Sequence, residues 1–129
     1  LDAVIAEQPD YVFARSLRYD MHSKREEFHA ARRHAAHLAR LVPSDPVAHG
    51  RVAETWIREG QLDKAIPSLR RALSVDPSYT YAVRHLLDHA TDQGDPHEVE
   101  NVLAHARRFL DPVFTLRCEV VARAALAQK

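Results

Sequence analysis

Residues 45–77 read DPVAHGRVAETWIREGQLDKAIPSLRRALSVDP, and this stretch decides the fold. Asp45 followed by Pro46 joins a side chain that can cap a helix to the one residue whose missing N–H does no harm at a first helical position. Ala48, Val52, Ala53 and Trp56 then recur at helical spacing, and Gly60 supplies the left-handed residue that ends the helix. Leu62, Ala65, Ile66, Leu69, Ala72 and Leu73 fall on one stripe of a second helix, with Asp63, Lys64, Arg70 and Arg71 left for water. Pro67 is expected in the opening turns, where a missing amide costs least.

Stepping 34 residues from this unit in either direction finds the same pattern. The interval links Pro9, Pro43 and Pro77, then Ala14, Ala48 and Ala82, then Ala31, Ala65 and Val99. It also links Ala35, Leu69 and Leu103, the series Val4, Leu38, Ala72 and Ala106, and the pair Gly60 and Gly94. A fixed period near this length is the mark of stacked helix pairs. The third copy places Ala82, Leu86, Leu87 and Ala90 on its first helix and Gly94 at its end. Asp95 and Glu98 then form an expected capping box that opens the second helix. In the first copy Ser23 and Glu26 predict the same box, with Phe28, Ala31, Ala35 and Leu38 facing inward. The expectation is one all-α domain over 1–129, with repeats at about 10–43, 44–77 and 78–111. A partial helix at 1–8, carrying Leu1, Val4 and Ile5, and a C-terminal helix at 112–127, carrying Leu116, Val120, Val121 and Ala124, flank them. The start on Leu1, in mid-pattern, suggests a piece of a longer protein.

The pattern resembles the tetratricopeptide repeat, a helix-turn-helix of 34 residues. Val52-Ala53 and Leu86-Leu87 stand for that family's Leu-Gly pair, Trp56 for its Tyr, Ala65 and Leu69 for its Ala and following aromatic, and Pro43 and Pro77 for its Pro. Arg18 and Tyr19 occupy the pair's place in the first copy, which predicts a first helix that is rotated or one residue out of register. The resemblance implies a right-handed helical-repeat solenoid of antiparallel helix pairs, whose concave face is lined by the first helices and binds a peptide or partner helix. Carried across residue by residue, the groove positions are Phe13, Ser16 and Asp20, then Val47, Gly50, Glu54, Ile57 and Arg58, then Tyr81, Arg84, Asp88, Thr91 and Asp92. Phe13, Asp20, Glu54, Ile57, Arg58, Tyr81, Arg84 and Asp88 are the partner-binding candidates among them. The family's grip on a carboxyl-terminal peptide needs a groove asparagine, and the single Asn101 falls on a second helix. Two functions compete: a protein-protein interaction scaffold, and a regulatory or oligomerisation module of a larger multidomain protein, such as an enzyme, in which the solenoid packs against its own chain or self-associates through its terminal helices.

Composition limits the other classes. Eighteen Lys plus Arg balance eighteen Asp plus Glu, so no overall positive field meets a row of phosphates and nucleic acid is not an expected partner. The sequence has no run of the roughly 18 to 20 apolar residues that a membrane span requires, so no membrane partner is expected either. Cys118 is alone, so the fold needs no internal disulfide and suits the cytoplasm, although a signal could precede Leu1. Its apolar neighbours predict a packed rather than reactive thiol.

Nine histidines call for a reading as ligands or proton carriers. His85 and His89 share a helix face with Asp88, in an order that echoes an inverted zinc-protease motif, but Asp stands where that motif needs Glu and no further ligand is evident. His29, His34 and His37 lie among Arg32 and Arg33, a patch expected to face solvent. With no phosphate loop and no nucleophile elbow, neither catalysis nor a metal or other cofactor is expected.

Overall fold

Three Asp-Pro pairs start helices. In the computed structural model, which describes residues 11–129, the Asp45 carboxylate accepts from the Val47 N–H at 2.9 Å, Asp95 from Glu98 at 3.1 Å and Asp111 from Phe114 at 3.0 Å. Each takes up a donor that a helix N-terminus leaves unpaired, and each is followed by proline inside the helix start. The described residues form α1 (Tyr11–Lys24), α2 (Phe28–Leu41), α3 (Pro46–Arg58), α4 (Leu62–Val75), α5 (Thr80–Asp92), α6 (Pro96–Phe109) and α7 (Pro112–Ala127), with no strand among them. Each helix packs on the next in the chain, and α5 also meets α7. No helix among the described residues is long and apolar enough to cross a membrane.

The 34-residue interval survives in three dimensions. Helices α2, α4 and α6 begin at Phe28, Leu62 and Pro96 and end at Leu41, Val75 and Phe109. Their C-caps Val42, Asp76 and Leu110 donate backbone N–H groups to the carbonyls of Leu38, Ala72 and Ala106. The matched stripes Ala31, Ala65 and Val99, and Ala35, Leu69 and Leu103, are all buried. The partial helix expected at 1–8, with Val4 and Pro9, lies outside the described residues.

Most of the buried apolar residues among those described fall into two clusters of unequal size. The larger runs from Ala53 on α3 to Ala122 on α7 and centres on Leu69, Val83 and Leu103. The smaller holds Tyr19, Ala31 and Ala35, with Val52 packed against it. Arg32 fastens α2 to α3 beside this small cluster. Its guanidinium lies 3.3 Å from the Trp56 ring centroid, its Nε donates to Thr55 Oγ1 at 3.0 Å, and it pairs with Glu59. Arg32 is therefore a packing residue and no part of an exposed basic patch.

Four local expectations need correction. Ser23 and Glu26 form no capping box, because α1 continues to Lys24 and Glu26 takes the left-handed conformation at φ +59°. Glu26 is the 34-residue counterpart of Gly60 and Gly94, which adopt φ +78° and +63°. In the third copy Asp95 caps as expected, but Glu98 turns to Arg70 at 3.1 Å and Asn101 at 3.4 Å instead of reaching back. Pro67 stands in the second turn of α4, beyond the four positions where an N–H has no intrahelical acceptor. Helix α1 keeps the common register, since Tyr19 is buried like its counterparts Ala53 and Leu87.

Candidate functional site

The odd-numbered helices present the candidate residues, and what each side chain touches divides them. Along the junction of α1 and α3 three side-chain hydrogen bonds form a ladder, each joining residue i to residue i+35. Arg51 donates to Ser16 at 3.1 Å, Tyr19 donates to Glu54 Oε2 at 3.0 Å, and Arg58 donates to Ser23. Arg58 also lies over the Phe28 ring at 4.8 Å. Glu54 and Arg58 thus hold neighbouring helices together, which a reading of them as free groove residues did not foresee. Burial raises the Tyr19 phenol above its ordinary pKa, and the Glu54 carboxylate raises it further, so the hydroxyl stays a donor.

Between α3 and α5 the contact is aromatic instead of polar. The Tyr79 hydroxyl occupies the place a Cβ on Gly50 would take, and its ring carbon Cζ is 3.1 Å from that position. Gly50 is therefore buried under Tyr79 and is not an open groove residue. Tyr81 packs beside Tyr79, with ring centroids 5.9 Å apart, and against His85 at 4.5 Å. Ile57 and Tyr81 are half-buried against the larger core. Burial also raises the Tyr81 phenol, with Glu54 adding to the effect.

Phe13, Asp20, Arg84 and Asp88 are exposed. Of these, Arg84 and Asp88 line a cavity of about 370 Å³ between α5 and α7. Leu87, Phe114, Val121 and Ala122 give it apolar walls, Arg117 stands at its edge, and the buried Thr91 donates to the Asp88 carbonyl at 3.0 Å. Cys118 lines it too, half-buried, and burial raises its thiol pKa. The α7 side of this cavity was missed by sequence reasoning, although the signal was present. Adding 34 to Arg84, Asp88 and Thr91 gives Cys118, Ala122 and Ala125, and all six residues line the cavity.

The histidines separate in the same way. His49 and His105 hydrogen-bond the carbonyls of Pro43 and Pro77 at 2.9 and 2.7 Å and so tie down the matched turns. His85 Nδ1 is 3.8 Å from Asp88 Oδ2, and among the described residues no group of three or more His, Cys, Asp or Glu could hold a metal ion. His34, expected in a solvated patch, is buried. No family model matches the chain, and no curated protein matches it in sequence.

Proposed function

We propose that the chain is a protein-protein interaction scaffold, a tetratricopeptide-like right-handed solenoid whose concave first-helix face receives a peptide or helix of a partner protein. The cavity between α5 and α7 carries this reading. Its floor is apolar, its rim holds Arg84, Asp88 and Arg117, and its volume of about 370 Å³ suits one or two large side chains. An aromatic or aliphatic anchor would enter while the charged rim sets register and excludes mismatched partners. The partner is protein, not nucleic acid or membrane, and the role is binding, not catalysis.

Selection of a displayed random-peptide library on the intact chain tests this. Recovered peptides should lose at least about tenfold in affinity to a variant carrying Arg84→Glu and Phe114→Ala with unchanged helical circular dichroism, as expected when a buried anchor site is truncated. Binding that ignores both substitutions would refute the reading.

A second reading is favoured by one observation. Val113, Leu116, Val120 and Val121 on α7 are 60 to 67% exposed, an apolar stripe wide enough to join two copies or a further helix. In that reading the chain is an oligomerisation or regulatory module. Sedimentation equilibrium separates the two: a dimer converted to monomer by Leu116→Glu with Val120→Glu supports self-association, and a monomeric parent chain refutes it.

A further inference from the structure

Helices α1 and α7 each leave open a face whose counterpart inside the stack is covered. On α7 the apolar side chains of Leu116, Val120 and Val121 are 61 to 67% exposed, whereas their counterparts 34 residues earlier, Ala82, Leu86 and Leu87 on α5, are buried. Helix α5 is packed between α4, α6 and α7, while α7 rests chiefly on α5 and α6. On α1, Phe13, Leu17 and Met21 recur every four residues and form a second apolar stripe, 41 to 66% exposed.

The interior junctions show which way each open face looks. Arg51 and Thr55 on α3 stand at the places of Leu17 and Met21, and both bond to the preceding helix pair. Arg51 donates to Ser16 on α1 at 3.1 Å, and Thr55 accepts from Arg32 on α2 at 3.0 Å. Tyr19, at the place of Val121, bonds in the opposite direction, donating to Glu54 on α3 at 3.0 Å. The stripe on α1 is thus the side that receives a preceding helix pair, and Val121 lies on the side that meets a following first helix. These are two unlike halves of one kind of contact, so joining them is heterologous.

We propose that a second copy of this chain docks head to tail, the α7 end of one copy on the α1 end of the next, as α1 meets α3 within one copy. The contact rests on the self-association put forward above as the second reading, and goes further in naming its two faces. Each bond of the α1–α3 ladder joins residue i to residue i+35. The same offset sets Cys118 and Val121 of one copy against Leu17 and Asp20 of the next. Leu17 then loses its contact with water, and Arg117, one turn before Val121, brings a positive charge to the Asp20 carboxylate, both exposed in the single chain. Lys24 falls opposite Ala125, where its aliphatic stem lies along the helix. Because each copy keeps one open face of each kind, the contact repeats and gives a growing row instead of a closed dimer. A few anchors at each end place it in the small, weak class of interfaces.

Sedimentation velocity and light scattering on the full chain, at up to about 1 mM to reveal weak association, test this with two variants. Leu116→Glu with Val120→Glu blocks the α7 end, and Phe13→Glu with Leu17→Glu the α1 end. All four side chains are more than half exposed, and helical circular dichroism checks each fold; the single changes Val120→Glu and Leu17→Glu serve if a pair loses helix. The parent mass should rise with concentration past that of a dimer, and each variant alone should stay monomeric. An equimolar mixture of the two should form a one-to-one dimer that grows no further, since one open face of each kind is left. A monomeric parent overturns both the proposal and the self-association on which it rests. A parent dimer that the α1 variant leaves intact, or a mixture that stays monomeric, overturns the head-to-tail contact alone.

Discussion

At the scale of the residue, Glu26 shows how a degenerate repeat keeps its shape. A left-handed conformation costs a residue with a Cβ roughly 1 kcal/mol that glycine does not incur, and Glu26 is held there by the same turn that Gly60 and Gly94 make. Glu26→Gly should therefore raise the unfolding free energy by about 0.5 to 1 kcal/mol in urea titration, the greater freedom of the unfolded glycine offsetting part of the gain. His34 gives a pH dependence of definite sign. Burial first, then Arg15, His22, Arg18 and Arg33, push its pKa down to about 4. The unfolded chain takes up this proton near pH 6.5 and the folded chain does not. Its contribution is thus fully present above pH 6.5 and is lost as the pH falls toward 4, by on the order of 2 to 3 kcal/mol. His34→Val, the residue at the matching place on α6, should flatten that part of the urea-stability profile. An unchanged slope between pH 6.5 and 4 would show that His34 titrates normally.

At the scale of the element, the two junctions between odd-numbered helices use different chemistry. The ladder joining α1 to α3 is polar, whereas between α3 and α5 the Tyr79 ring packs over Gly50. Gly50 is required only while Tyr79 fills the space above it. Gly50→Ala alone should lower stability by about 1 kcal/mol or more, the displaced Tyr79 outweighing the better helix propensity of alanine. In a Tyr79→Ala background the same substitution should raise stability by about 0.5 to 1 kcal/mol, because only the propensity difference is left. A thermodynamic cycle of the four proteins reads this change of sign. Sequence pattern showed where these helices lie, since Asp-Pro pairs, glycines and apolar stripes act locally. It could not show that Glu54 and Arg58 bond to α1, because partners 35 residues apart are brought together only by packing. Nor could it show that Gly50 is covered, as nothing near Gly50 in the chain points to Tyr79.

At the scale of the whole molecule, stability is unevenly spread. The larger core links α3 through α7, while α1 and α2 share a small cluster beside a cleft lined by arginine and histidine. Native-state hydrogen exchange should therefore show α1 and α2 opening at lower free energy than α4 to α6, since local opening follows the apolar burial of each unit. Equal protection in all helices would mean that the ladder and Arg32 couple the two parts fully. The 34-residue period made the order and length of the helices legible, and extending it by one step would have found Cys118, Ala122 and Ala125. The basic cleft was half legible, because His34 and Arg33 stand close in sequence whereas Arg15 and Arg18 join them only across the α1–α2 seam. The central claim, that the first-helix face takes a partner segment between α5 and α7, is most directly tested by amide chemical-shift mapping of the chain with a library-selected peptide. The account predicts saturable shifts concentrated at Arg84, Asp88, Phe114 and Arg117; shifts confined to the even-numbered helices would contradict it.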